Sequence, residues 1–142
     1  MTDVSAQASV QTNGFGPPAP PSLSLGVVGN CAFSALIDPL GRVVWSCLPR
    51  FDSDPVFHAL LGGEAGAGAF AIEIENLASS NQHYEPNTAV LRTELWDTHG
   101  QGLLITDFAP RFPSRGRFFR PTMLVRRVRP LQGTPRIRVQ LK

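Results

Sequence analysis

The chain has 142 residues, of which 42% are hydrophobic and 17% charged, with 13 glycines and 13 prolines. This length is enough for one domain with a buried core and short for two. The composition excludes a wholly disordered or collagen-like chain, and no apolar run approaches the roughly 20 residues of a membrane-spanning helix. Residues 1–10 have neither a basic start nor an apolar stretch for export, which favours a cytoplasmic location.

The charged residues are distributed unevenly. Residues 1–110 contain all 11 acidic residues and three basic ones, a net charge of −8, whereas residues 111–142 contain ten basic residues and no acid, a net charge of +10. A basic segment suggests a nucleic-acid-binding module through residues 111–142. Lys142 is the only lysine among the basic residues, and arginine favours bidentate pairing with carboxylates. We therefore favour pairing of these arginines with acids of the same protein, so a nucleic-acid partner is not expected.

Residues 1–22 are predicted to form a disordered leader, because they are rich in Ala, Ser, Gln and Pro and show no apolar period. Residues 23–142 are predicted to form one all-β domain, an antiparallel β-sandwich with one short helix, because short apolar runs alternate with turn signals. The predicted strands cover residues 25–28, 31–37, 42–47, 69–74, 88–96, 102–108, 122–129 and 136–141.

Two local signals connect the first strands. Asp38-Pro39-Leu40-Gly41 has the residue types of a tight turn and predicts a hairpin. Asp52-Ser53-Asp54-Pro55 predicts the start of the helix, because Ser or Asp can cap free N–H groups and Pro is tolerated in the first turn. The helix is expected over residues 56–61.

The last predicted strand alternates apolar and polar residues without exception, from Arg136 to Leu141. The chain ends while this alternation is still running. We interpret the chain as a piece of a longer protein whose sandwich domain is truncated at its C-terminal end.

Motifs for chemistry are scarce. Cys31 and Cys47 are interpreted as buried thiols, with a disulfide across the hairpin as the alternative. His58, His83 and His99 share no motif, so neither a metal site nor a cofactor is predicted.

Paired carboxylates occur as Asp52 with Asp54 and as Glu73 with Glu75, and the second pair lies at the end of a predicted strand. Two residues apart on a strand, they point the same way and could act together. A solvated strand face is the interpretation that we favour for them.

Several segments together resemble a known family. They are Gly29-Asn30-Cys31, a hairpin from Ala35-Leu36-Ile37-Asp38 to Trp45, Pro49-Arg50-Phe51-Asp52-Ser53, Tyr84-Glu85-Pro86-Asn87-Thr88, Ile105-Thr106-Asp107-Phe108-Ala109-Pro110-Arg111 and Met123-Leu124-Val125-Arg126-Arg127. Over residues 25–142 the chain is similar to the N-terminal, trehalase-like domain of bacterial glycoside hydrolase family fifteen proteins, which are glucoamylase-like and trehalase-like enzymes. It departs from many members at Ala32, where they have a basic residue, and at Pro55, which comes one residue late.

The resemblance implies a supersandwich-like β-domain ahead of an (α/α)₆ barrel. In such enzymes two glutamates of the barrel act as general acid and general base on water and cleave α-glucosidic bonds with inversion. The chain is too short to contain that barrel, so the resemblance implies a non-catalytic domain that packs on and stabilises the catalytic barrel of the same polypeptide. The expected substrates of the parent enzyme are an α-glucan, a maltooligosaccharide or trehalose; no membrane partner is expected.

Within that reading, Arg50, Phe51 and Asp52 are the candidate site residues, at the sugar site or at the barrel interface. They follow a strand as a loop, and loops of this kind often carry binding contacts. The alternative is structural: Arg50 and Asp52 fix the loop and cap the helix, and Phe51 fills the core.

The competing class is a carbohydrate-binding sandwich module. It requires exposed aromatic side chains on one face, for which Trp45 and Trp96 are the candidates. Both tryptophans lie in strand patterns that favour a core role.

Overall fold

The computed structural model describes residues 14–16, 22–62 and 67–142. Most of the predicted leader, residues 1–22, lies outside the described residues. In the described ranges, no helix is long and apolar enough to cross a membrane.

The described residues form twelve β-strands and one short 3₁₀ helix. The elements are β1 Gly26–Gly29, β2 Ser34–Ile37, β3 Val43–Cys47, β4 Pro55–Phe57, the 3₁₀ helix Ala59–Leu61, β5 Phe70–Ile74, β6 Leu77–Tyr84, β7 Leu91–Asp97, β8 Gly102–Phe108, β9 Phe112–Ser114, β10 Arg117–Phe119, β11 Val125–Gln132 and β12 Ile137–Leu141. Each predicted strand is present with ends shifted by up to three residues, so the all-β prediction is confirmed.

The strands form two main sheets, and neighbouring strands are antiparallel. The first sheet has six strands in the order β1-β2-β3-β5-β12, with β4 also paired to β3. The second sheet has the order β11-β8-β7-β6, and β9 and β10 form a separate hairpin.

The two sheets pack face to face around an apolar core. Alternate residues of the strands point to one face, and they meet in two clusters. The clusters are Val28, Ala35, Ile37 and Val43 against Leu91, and Ile72 and Ile74 against Leu95, Leu103 and Ile105. The chain is therefore an antiparallel β-sandwich, as the sequence predicted.

The predicted helix over residues 56–61 is wrong in its first half. Pro55–Phe57 forms β4, which pairs with the end of β3, and only Ala59–Leu61 is helical. Two causes favour the strand: Phe57 packs against Phe70, with ring centroids 6.3 Å apart, and proline is tolerated as the first residue of a strand.

One buried arginine joins the two sheets. Arg126 of β11 pairs with Asp107 of β8, and the side chains are 4% and 0% exposed. Nε and Nη2 donate to the two carboxylate oxygens at 2.7 and 3.1 Å. Nη1 donates to the carbonyl of Phe70 in the first sheet at 2.9 Å, and Nη2 also donates to the carbonyl of Gly41.

Burial raises the pKa of Asp107, and the hydrogen bonds and charge of Arg126 offset part of that rise. The guanidinium also lies 4.7 Å from the centre of the Phe70 ring. A buried carboxylate therefore depends on this one cation.

Two further arginines of the basic segment pair with acids of β5 and its end. Arg138 contacts Glu73 at 2.6 Å and Arg136 contacts Glu75 at 3.4 Å. For Arg126, Arg136 and Arg138, the predicted pairing within the protein is confirmed. Glu73 and Glu75 each have an arginine partner, which favours ion pairing across the strands over an acid/base couple.

Two hairpin turns share one hydrogen-bonding design. Oδ1 of Asp38 accepts the N–H of Leu40 and of Arg42, and Oδ1 of Asp97 accepts the N–H of His99 and of Gln101. In both turns the side chain of the last residue donates to the other carboxylate oxygen. The aspartate therefore closes each turn through its own side chain.

We predict that Arg126→Ala lowers the free energy of unfolding by about 3–5 kcal/mol, because Asp107 is left buried without its cation. Urea unfolding followed by tryptophan fluorescence measures the change. Arg127→Ala, an exposed residue on the same strand, is the matched control and should stay within about 0.5 kcal/mol of the wild type. Equal effects of the two substitutions would contradict the structural role of Arg126.

A second prediction concerns acid stability. Burial alone would raise the pKa of Asp97, but hydrogen bonds from the backbone of Gln101 and His99 and from the Gln101 side chain outweigh it, and the pKa is lowered. The stabilisation is thus fully present above the unfolded-state pKa of about 3.9 and is lost as pH falls through the lower folded-state value.

Asp97→Asn should therefore be less stable than the wild type at neutral pH, with a difference that shrinks as the pH falls below about 4. Urea unfolding across this pH range measures the difference. Asp54→Asn, at an exposed position, is the control and should show no such trend; a difference for Asp97→Asn that stays constant with pH refutes the explanation.

Candidate functional site

Three connecting segments lie together at one end of the first sheet. The turn after β1 and the loop after β3 leave the same end, because Gly29 pairs with Ser34 and Ala35 pairs with Ser46. The connection between β8 and β11 lies at the same end, because its residues Pro110 and Pro121 accept hydrogen bonds from the side chain of Asn30. We call residues 30–33, 48–54 and 110–121 the loop end.

Asn30 holds these segments together from a buried position. Its side-chain Nδ2 donates to the carbonyl oxygens of Pro110 and Pro121 at 3.0 and 2.7 Å, and its Oδ1 accepts the N–H of Ala32 at 3.1 Å. The residue is 2% exposed. Because Pro110 and Pro121 flank β9 and β10, a single amide group anchors both ends of that hairpin.

The anchored hairpin, residues 111–120, presents arginine and phenylalanine side chains to solvent. Every residue in it is exposed. It contains four arginines and no acid, a net charge of +4. The rings of Phe112 and Phe119 lie 5.3 Å apart, and the guanidinium of Arg111 lies 5.1 Å from the ring centre of Phe118. The hairpin is thus a cationic and aromatic surface.

An exposed hairpin within the basic segment 111–142 was not predicted from the sequence. The charge density alone does not separate the exposed hairpin from the strand that buries Arg126. The available signal was the clustering of Phe112, Phe118 and Phe119 among arginines without any acid, because exposed aromatic and arginine side chains together are typical of binding surfaces.

Cys31 lies exposed in the turn beside this hairpin, and Cys47 is half-buried; both are free thiols. The interpretation of Cys31 as a buried thiol is therefore wrong. It occupies a turn position with φ of 69°, where the chain turns outward, and Nη1 of Arg111 lies 3.3 Å from its sulfur.

The structure brings Arg50, Phe51 and Asp52 together on the surface of the loop end. Arg50 and Asp52 are joined by a 2.8 Å contact, and their side chains are 74% and 68% exposed. Phe51 is 58% exposed. Phe51 therefore does not fill the core, and Asp52 does not cap a helix, because the 3₁₀ helix has no side-chain cap. Whether this trio contacts a sugar or another domain stays a prediction.

The carboxylates of the described residues are mostly engaged by arginines. Ion pairs occupy six of them, Asp38, Asp52, Glu73, Glu75, Glu85 and Asp107. A hydrolytic acid/base pair requires two carboxyl groups that flank a bond of the substrate. The described ranges also hold no cluster of three or more metal-ligating side chains. At the loop end the exposed groups include charged side chains and aromatic rings.

The two tryptophans do not form an exposed aromatic face. Trp45 and Trp96 are both half-buried. The ring of Trp96 covers Gly102 so closely that a Cβ atom there would come within 2.7 Å of it. This packing favours the structural role that the sequence indicated for them.

The fold and the loop end together define a β-sandwich domain with an exposed cationic, aromatic surface. Residues 11–140 match the family described as trehalase-like, N-terminal. The chain belongs to this family, as the resemblance indicated.

The chain is similar to part of several curated trehalases. It is 33% identical to the trehalase of Mycolicibacterium smegmatis over 82% of this chain and 19% of that protein. It is 32% identical to the trehalase of Mycobacterium tuberculosis over 63% of this chain and 13% of that protein, and 36% identical to that of Thermoplasma volcanium over 60% and 14%. The chain thus spans less than a fifth of the length of these relatives. No solved structure matches it.

We predict that Asn30→Ala releases the hairpin while the sandwich stays folded. Loss of two buried hydrogen bonds costs about 1–3 kcal/mol, so tryptic cleavage after Arg115 and Arg117 should become about ten-fold faster. Limited proteolysis with mass spectrometry measures the rate, with Asn81→Ala at an exposed strand position as the control. Unchanged cleavage would show that Asn30 does not anchor the hairpin.

Proposed function

We propose that this chain is the non-catalytic N-terminal domain of a longer glycoside hydrolase that acts on an α-glucosidic bond, with trehalose as the first substrate to test. Two findings support the proposal: the family of the chain, and its similarity to proteins named trehalases. The matched region is less than a fifth of each of these trehalases. In this proposal the catalytic residues belong to a separate domain of the same polypeptide.

The loop end is the proposed contact surface for that catalytic domain, and one observation carries the proposal. The hairpin 111–120 is fully exposed, carries four arginines and three phenylalanines, and has no acid to neutralise it. Aromatic side chains and arginine are enriched in interfaces and dominate their energetics. A surface of carboxylates and apolar pockets on the partner domain would complement it.

Arg50, Phe51 and Asp52 are proposed to extend this contact surface. They lie in a loop at the same end of the sheet, and their exposure leaves Phe51 free to insert into a pocket of the partner. The neighbouring Arg50 and Asp52 form an exposed ion pair at 2.8 Å. A sugar contact by the same trio is the competing role, and the kinetics of variants distinguish the two.

The inverting mechanism, the two glutamates of an (α/α)₆ barrel and activity on glucoamylase substrates rest on the resemblance and stay predictions. The truncated domain boundary at residues 23–142 and the cytoplasmic location rest on sequence patterns and also stay predictions.

The first test is enzymatic. The isolated chain should give no glucose from trehalose or maltooligosaccharides above a blank without enzyme, with the Mycolicibacterium smegmatis trehalase as positive control for trehalose. Turnover by the isolated chain refutes the non-catalytic role.

The second part of the test uses the full-length polypeptide with Arg50→Ala and Phe51→Ala. Loss of an interface contact should lower the stability of the assembled protein by about 1–2 kcal/mol per residue and leave KM unchanged. Arg129→Ala, an exposed arginine on the second sheet, is the control. A rise in KM without loss of stability would favour the sugar contact, and binding of single-stranded DNA that weakens steeply with salt would favour the nucleic-acid alternative.

A further inference from the structure

Three residues ahead of the first strand lie against the sandwich. Residues 14–16 line a cavity of about 290 Å³ together with residues of the β2–β3 turn, β5, the β5–β6 turn, β7 and β12. The lining includes three core residues, Ile72, Ile74 and Leu95, which are 3%, 3% and 1% exposed. We call residues 14–16 the N-terminal strap.

Two contacts attach the N-terminal strap to different elements. The carbonyl of Gly14 accepts the N–H of Asn76, in the β5–β6 turn, at 2.7 Å. The half-buried ring of Phe15 lies on Arg138 of β12, with the guanidinium carbon 4.4 Å from the ring centre. Arg138 is itself paired with Glu73 of β5 at 2.6 Å. The strap therefore reaches from the end of β5 to β12, and its own residues form part of the cavity wall.

The two glycines of the N-terminal strap differ in what they require. Gly14 has a φ of +60°, and a Cβ atom there would lie 2.5 Å from the side chain of Glu75. Left-handed backbone of this kind favours glycine. At the exposed Gly16, a Cβ atom would meet no described atom within 4 Å. The backbone at Gly14 thus sets the position of Phe15, whereas Gly16 tolerates a side chain.

We propose that the N-terminal strap is a closure device for this cavity. With Phe15 on Arg138 the cavity is covered, and release of the strap opens it while the sandwich stays folded. A backbone hydrogen bond and a cation–π contact are each weak, whereas the two sheets are joined by the apolar core and the buried pair of Arg126 and Asp107. Segments held by few contacts open at a lower free energy than the whole fold.

The consequence of opening is access to an apolar interior. In the closed form the side chains of Ile72, Ile74 and Leu95 are shielded from water. In the open form they line a cavity that small apolar molecules can enter. The proposal concerns the sandwich alone and does not depend on the hydrolase role.

The first test follows the backbone amide of Asn76 in the whole chain by hydrogen exchange detected with NMR. Gly14→Val should accelerate its exchange by about ten-fold, because the acceptor of this amide belongs to the strap, and Gly16→Val should leave the rate unchanged. The amide of Thr98 donates to the carbonyl of Asn76 at 3.0 Å and is the internal reference. Equal rates at Asn76 in the two variants, or equal acceleration at Thr98, overturns the proposal.

The second test measures entry into the cavity with iodoacetamide. In a Cys31→Ser, Cys47→Ser background, Leu95→Cys places a thiol in the cavity lining. Leu103→Cys is the control, because Leu103 pairs with Leu95 across β7 and β8 and is also buried, but does not line the cavity. Adding Phe15→Ala should accelerate alkylation at position 95 by about ten-fold and leave position 103 unchanged. An unchanged rate at position 95, or the same acceleration at both positions, overturns the proposal.

Discussion

The buried pair of Arg126 and Asp107 is the interaction on which the arrangement of the two sheets depends. The guanidinium binds a carboxylate of the second sheet and two backbone carbonyls of the first. These carbonyls belong to Phe70 on β5 and to Gly41 at the tip of the β2–β3 hairpin. A buried ion pair contributes little net stability but fixes which surfaces meet, because any other packing leaves a charge unpaired.

Glycine at position 41 favours the close approach of the hairpin tip to the second sheet. Its φ is +74°, and a Cβ atom there would lie 3.0 Å from the side chain of Ile105. Nε2 of Gln82, from the second sheet, donates to the carbonyl of Asp38 at 2.8 Å and to Oγ1 of Thr93 at 3.0 Å. Polar contacts thus hold the tip of this hairpin against the second sheet, at the end of the first sheet opposite the loop end.

Strand positions were predictable where short apolar runs are bounded by turn signals. The run 102–108 became β8 with unchanged bounds, and five of its seven residues are buried. β6 was missed because its sequence, LASSNQHY, is largely polar and exposed; only its pairing with β7 makes it a strand. The helix over residues 56–61 failed for a related reason, since β4 forms by pairing with β3.

The candidate site was only partly visible in the sequence. Arg50, Phe51 and Asp52 were identified from their loop context, and they do lie together on the surface. Asn30 belongs to a motif that resembles the family, but its role depends on Pro110 and Pro121, some 80 and 91 residues away in sequence. Likewise, a count of arginines cannot show that Arg126 is buried beside Asp107 while Arg117 is exposed, because that difference is set by packing.

We propose that the loop end of this domain contacts a catalytic domain of the same polypeptide. Hydrogen–deuterium exchange of residues 111–120, compared between the isolated chain and the full-length polypeptide, tests it most directly. The account predicts that these amides exchange at least ten-fold more slowly in the full-length protein, while exchange in β6 is unchanged. Equal exchange of the hairpin in the two proteins would contradict the claim.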